Sequence, residues 1–230
     1  GELADAIVAY DVDPRHVNLS RDVIAGILRH HGTTCARAKI LAAHWVKAGD
    51  FLLAGKGQFD FVVGNPPYIR IEKLAPELQA EYRRRYVSLY DRADLYVAFI
   101  ERSLELLKKN GMLSFICSDR WTLNRYGGPL RRLIADRFSV RFYVDLHQAS
   151  PFESSVIAYP SIFGIANRSQ EKVKLARLKT ASADECRMVP VKFQKSTSKL
   201  NGIEITTYDS WFTGAEPWVL SSPEQTEALR

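Results

Sequence analysis

Apolar positions along the chain recur with two periods, one suited to strands and one to helices. Ala6 to Tyr10 is a short apolar run that predicts a strand. Val17, Ile24, Ile27 and Leu28 then recur at roughly helical spacing. Asp13 is placed to cap that helix, Pro14 suits its first turn and Gly32 closes it. Lys39 to Val46 predicts a short strand, and Phe61-Val62-Val63 predicts a buried strand that stops at Gly64. Leu95, Phe99, Leu104, Leu106 and Leu107 predict an amphipathic helix over 91–109, with Lys108 and Lys109 in its last turn and Gly111 as its stop. Met112 to Cys117 reads as a strand, 125–137 as a helix, 140–146 as a strand and 157–165 as another. Glu171 to Leu178 alternates charged and apolar residues, as an edge strand does. From Ala181 onward the pattern weakens. Trp211 and Trp218 with Leu220 are expected to cover one side of the domain, and Ser221-Ser222-Pro223-Glu224-Gln225 signals a further helix start. Helices and strands in alternation imply an α/β fold.

Composition narrows the picture without deciding it. A chain of 230 residues with 46% hydrophobic and 25% charged residues can bury one good core. The net charge of +6 permits a polyanionic partner. Cys35, Cys117 and Cys186 are far apart and lack C-x-x-C spacing, so no metal site and no disulfide framework is expected, and a reducing cytosol is. No apolar run approaches the length of a membrane span, and no signal peptide is visible.

The chemistry concentrates at Asn65-Pro66-Pro67-Tyr68. Two prolines cannot continue a ladder, so the preceding strand ends in a rigid turn. In open α/β sheets the carboxyl end of a strand is where ligands bind. The turn offers the Asn65 amide, an outward-tilted carbonyl at Pro66 and the aromatic face of Tyr68. That set suits a planar ring carrying an exocyclic amino group. The plain alternative is a Pro-Pro turn with a packed tyrosine.

The tetrapeptide resembles motif IV of S-adenosylmethionine-dependent amino-methyltransferases, in the form used by N6-adenine-specific DNA methyltransferases of restriction-modification and fused restriction-methylation systems. The resemblance extends over roughly residues 7–168. Asp11 matches the acidic motif II residue that binds the cofactor ribose, although an Asp after a strand is also an ordinary helix cap. Asp50 and Phe51 match motif III, which receives the cofactor adenine; alone they would read as a turn Asp and a core Phe. Asp94-Leu95-Tyr96 resembles motif V, and Lys108-Lys109-Asn110-Gly111 with the next strand resembles motif VI.

The resemblance implies a Rossmann-like methyltransferase sheet, mostly parallel with a late antiparallel hairpin. It implies methyl transfer from S-adenosyl-L-methionine to N6 of an adenine flipped out of double-stranded DNA. Asn65, Pro66, Pro67 and Tyr68 would be the catalytic set, with no metal. Phe152, in the loop before the late hairpin, would be a second wall around the base, or else a lid on the core. Arg70 and Lys73 open a basic stretch containing Arg83-Arg84-Arg85, which would track phosphates or form a solvated face.

No counterpart of the family's first strand and Gly-rich loop precedes Asp11. The expectation is therefore an N-terminally incomplete catalytic domain over 1–180, inactive by itself. An extension over 181–230 would lead toward a target-recognition domain. Its partners would be the missing N-terminal segment and that recognition domain, in a bacterial or archaeal cytoplasm. Two other readings stand beside this one. The first is a protein glutamine methyltransferase of the release-factor type. The second is a non-catalytic DNA-binding or scaffold subunit with a degenerate methyltransferase fold.

Overall fold

The computed structural model of the chain describes residues 4–55, 57–149, 159–180, 182–195, 199–200 and 203–220. The chain divides into two compact units, Gly1–Lys56 and Gly57–Arg230.

In the first unit, β1 (Ala9–Asp11) and β2 (Val46–Ala48) pair in parallel, with Asp11 opposite Ala48. Between them run α1 (Pro14–His30) and α2 (Cys35–Trp45). The start of α1 is as expected: Asp13 is the N-cap, and its carboxylate accepts from the Arg15 N–H at 2.8 Å. The strand expected over Lys39 to Val46 is instead mostly α2. Ala38, Leu41, Ala42 and Trp45 are buried at helical spacing. Ala38 and Ala42 lie against Ala25 of α1, where small side chains let the two helices approach closely. Val46 alone of that run enters a strand.

The second unit holds a seven-stranded sheet. Its strands in chain order are β3 (Phe59–Gly64), β4 (Leu107–Ser118), β5 (Ser139–Asp145), β6 (Pro160–Ala166), β7 (Val173–Leu178), β8 (Lys199–Leu200) and β9 (Ile203–Tyr208). Their order across the sheet is β3-β4-β6-β5-β7-β9-β8. β6 and β9 run against the other five, so the sheet is mostly parallel in direction, with the late reversed strand wedged between β4 and β5. The helices are α3 (Pro76–Arg85), α4 (Tyr96–Glu105), α5 (Arg120–Leu123), α6 (Gly128–Arg137) and α7 (Ala183–Lys195). The arrangement is an α/β, Rossmann-like sheet flanked by helices.

Three expectations need correction here. The helix expected over 91–109 is only α4, and Lys108 and Lys109 belong to β4 rather than to its last turn. Phe59 pairs with Leu107 and Phe61 with Met112, so Lys108 to Gly111 stand opposite the single residue Asp60 and the ladder bulges. Lys108 Nζ reaches the Asp60 carboxylate at 2.9 Å. A Cβ on Gly111 would lie 2.9 Å from the Phe59 carbonyl oxygen, so the bulge requires glycine there. Second, Phe61 and Val63 are not buried: they are 74% and 76% exposed, because β3 is an edge strand and one of its faces is uncovered among the described residues. Third, β7 is not an edge. It lies between β5 and β9, and its polar positions are tied down, Lys174 donating to the Phe193 carbonyl and Arg177 to that of Leu220.

The core explains the remainder. Val144, Leu146, Ala176, Leu178, Val189, Ile203 and Ile205 form one apolar cluster in which α7 covers the β7–β9 end of the sheet. Trp218 is 1% exposed and packs on Trp121 (4.8 Å between ring centroids) and Trp211 (5.3 Å), so the two late tryptophans do cover one side. The buried face of α4, including Tyr96, Val97, Ile100 and Leu104, completes the core behind β3 and β4.

Candidate active site

The first unit brings Asp11, Asp50 and Phe51 to one corner. The parallel register ends both strands together, and the Gly49 N–H donates to the Asp11 carbonyl at 2.9 Å. Each aspartate shapes its own turn: the Asp11 carboxylate accepts from the Asp13 N–H at 2.8 Å, and Asp50 accepts from the Leu52 N–H at 2.8 Å. A carboxylate offers about four acceptor sites, so one such bond does not exhaust it. His16 Nδ1 stands 3.6 Å from Asp11. Phe51 tilts against Tyr10, with centroids 6.5 Å apart. Gly49 has φ +154°, a conformation that L side chains rarely adopt, so glycine is needed where the chain leaves β2.

In the second unit, Asn65 to Tyr68 leave the carboxyl end of β3. Gly64 lies opposite Phe115 of β4, Asn65 is exposed and Pro66 is buried. Tyr68 is half-buried. Its ring meets Tyr96 edge to face, at 6.0 Å and 82°. Burial, together with the nearby Cys117 thiol, pushes the Tyr68 phenol up to about 12, so it stays neutral. The hydroxyl is buried and makes no hydrogen bond of ordinary length with the described residues.

Tyr96 is fixed from behind. Its hydroxyl shares a 2.6 Å hydrogen bond with that of Tyr126, and Tyr126 donates to Asp94 at 3.4 Å. Burial holds the Tyr126 phenol at about 12 and pushes that of Tyr96 further up, so both remain protonated donors. The chain after Tyr68 is pinned to the approach of α4: Leu95 N–H donates to Ile69 O at 2.7 Å and Ile71 N–H to Ala93 O at 3.2 Å. Arg70 and Lys73 are therefore placed beside the turn, and both are exposed. The arginine triplet further on is largely structural. Arg84 and Arg85 pair with Glu81, while Arg83 donates to the carbonyls of Leu89 and Asp91. Phe152 lies outside the described residues.

The sequence reading missed a second polar group on this edge of the sheet. Asp119 follows β4 and is 5% exposed. Its Oδ2 accepts from Tyr143 Oη at 2.9 Å and is hydrogen-bonded to His147 Nε2 at 2.6 Å. That bond raises the His147 imidazole above its ordinary value, against the opposing effect of burial. The available signal was position: Asp119-Arg120-Trp121 directly follows an apolar strand, where ligand-facing residues gather. Tyr126 was read only as part of a helix start.

The sequence profile described as Eco57I restriction-modification methylase matches residues 10–152. The chain is 41% identical to the type II methyltransferase M.PaeR7I of Pseudomonas aeruginosa, over all of this chain and 40% of that protein. It is 38% identical to M.XhoI of Xanthomonas vasicola, over 99% of this chain and 42% of that one. It thus spans about two fifths of the length of the curated relatives it matches. Among solved structures, the M protein of the type I restriction enzyme EcoKI superposes with a TM-score of 0.60 at 12% identity, covering 89% of this chain and 50% of that one, a likeness of fold. With over half of its length matched by the profile, the chain belongs to the Eco57I restriction-modification methylase family.

Proposed function

We propose that this chain is the catalytic part of a DNA adenine-N6 methyltransferase of a restriction-modification system, using S-adenosyl-L-methionine. One observation carries the reading: an exposed Asn65 and a neutral, edge-held Tyr68 stand together on a rigid Pro-Pro turn at the carboxyl end of β3. Asn65 Oδ1 and the Pro66 carbonyl accept the two N6 hydrogens of an extruded adenine. That draws the nitrogen lone pair out of the ring's conjugation and points it at the donor. Tyr68 stacks on the base, for roughly 1–3 kcal/mol. The bound cofactor supplies an electrophilic methyl group on a sulfonium. What the protein contributes is orientation and exclusion of water, which can account for most of such a rate.

Asp11, Asp50 and Phe51 fit the cofactor's ribose and adenine. Two carboxylates whose turns share a backbone hydrogen bond present acceptors beside an aromatic ring. Arg70, Lys73 and Phe152 are assigned to the DNA. The methionine end is assigned to a Gly-rich turn outside these residues, and sequence recognition to a further domain. The uncovered face of β3, with Phe61 and Val63, supports a further element packing there. A chromosomal DNA substrate puts the protein in the cytoplasm; among the described residues no helix is long and apolar enough to cross a membrane. DNA is favoured over a glutamine side chain by the exposed Arg70 and Lys73 flanking the turn.

Transfer of radiolabel from S-adenosylmethionine into DNA tests the reading. With the complete protein, wild type is expected to label adenine N6, and Asn65→Ala to lose the activity while keeping its thermal unfolding profile. Retention of wild-type activity by Asn65→Ala overturns it.

A further inference from the structure

The short segment after β4, Arg120 to Gly127, carries two arginines, and each is set against an exposed tyrosine. The Arg120 guanidinium lies over the Tyr159 ring, 5.2 Å from its centroid. Arg125 Nη2 donates to Tyr90 Oη at 3.3 Å. Tyr90 and Tyr159 are 44% and 47% exposed. The segment itself is rigid. Trp121 and Thr122 are fully buried, and Arg131 donates from beneath to the carbonyls of Trp121 and Asn124. Tyr126, directly after Arg125, is the residue that holds Tyr96 behind Tyr68. The two Arg–Tyr pairs are therefore held in a set relation to the Asn65–Tyr68 turn.

Two nearby carboxylates are engaged inward. Asp119 is held by Tyr143 and His147, and Asp94 by Tyr126. Arg125 is exposed and Arg120 half-buried; Arg120 lies over a tyrosine ring and Arg125 donates to a tyrosine hydroxyl. Cations alternating with exposed rings are the chemistry of a surface that follows a nucleic-acid strand: guanidinium groups meet phosphates while rings accept unstacked bases.

We propose that the segment Arg120–Gly127, with Tyr90 and Tyr159, is a strand-contact strip that grips the DNA backbone on either side of the extruded nucleotide. Arg120 and Arg125 each neutralise one phosphate. Tyr90 and Tyr159 cover the bases left unstacked when the target leaves the duplex. The strip rests on the reading of Tyr68 as the base-stacking residue, and it adds the contacts that hold the strand open.

The test is fluorescence anisotropy of a short labelled duplex across a salt series. It uses the purified protein with all the flanking segments its gene encodes. Each phosphate contact contributes about 0.9 to the slope of log affinity against log salt. Arg120→Ala and Arg125→Ala should each lower the slope by about that amount, and the double variant by about twice as much. Arg137→Ala is the control, because Arg137 sits on a ring in the same way, over Phe138, but at the opposite end of β5. It should leave the slope unchanged. The proposal is overturned if the double variant keeps the wild-type slope, or if Arg137→Ala lowers it as much as Arg125→Ala. Label transfer by wild type is read separately. Wild type that binds DNA with the expected slopes but never methylates it would sink the enzymatic reading and leave the strip standing.

Discussion

The corner built by Asp11, Asp50 and Phe51 and the turn built by Asn65 to Tyr68 are made in opposite ways. At the corner each carboxylate proposed for the cofactor holds its own backbone two residues on, Asp11 to Asp13 and Asp50 to Leu52. Asp13 does the same for Arg15. Such Asx turns form from neighbouring residues, so the geometry is encoded locally. At the Pro-Pro turn only the stop is local. Tyr68 owes its position to Tyr96, Tyr96 to Tyr126 and Tyr126 to Asp94, partners remote in the chain. A locally built site tolerates change elsewhere, whereas a site built by a relay is sensitive to residues that never touch the ligand.

The largest expected effect is at Asn65. Asn65→Ala should reduce methylation by two or more orders of magnitude, on the scale seen when one oriented polar group is removed from an active site. Cofactor affinity, measured by calorimetry, should stay unchanged. Next comes the pair Tyr68→Ala and Asp11→Ala, which separates the two regions. The first should weaken capture of the extruded base by roughly 1–3 kcal/mol, read from 2-aminopurine fluorescence at the target position. The second should weaken cofactor binding by roughly 1.5–3 kcal/mol, read calorimetrically. Equal loss of cofactor affinity in both variants would erase the distinction between corner and turn.

Gly49→Ala sharpens the local half of the comparison. It forces a Cβ onto φ +154° and should cost about 1–3 kcal/mol in urea unfolding. Tyr126→Phe probes the relay. Loss of the hydroxyl should cost about 0.5–1.5 kcal/mol of stability and slow methylation several-fold through Tyr68, with cofactor affinity unchanged. Tyr126→Phe with wild-type kinetics would mean that Tyr68 is held by packing alone.

The smallest effect is the pH dependence at His147. Its bond to Asp119 raises the folded pKa above the ordinary 6.5. A raised pKa in the folded state adds stability that is complete below about 6.5 and is lost as pH rises through the folded value. Melting temperature followed across that window should fall slightly more in wild type than in His147→Gln. Parallel curves would show that the imidazole contributes nothing through its charge.

Much of this chain was settled by its sequence alone. The α1 start at Asp13-Pro14 and the end of β3 at Gly64 before two prolines follow from backbone constraints, as does the turn at Asp50. Fixed φ, a missing N–H and a short side chain that bonds its own backbone act over two or three residues, whatever the rest of the chain does. The tertiary structure decided what those constraints cannot reach. The Ala38 to Trp45 run became helix because it could bury a face against α1. Lys108 to Gly111 became a bulge because Leu107 and Met112 both had to pair with β3. Phe61 and Val63 were left exposed by the place of β3 at the sheet edge, which no local run of apolar residues reveals. The relay behind Tyr68 and the Asp119–His147 bond depend on strand order. They appear only once β3, β4 and β5 bring their flanking residues together, because a contact between distant residues is a property of the packing and not of either neighbourhood.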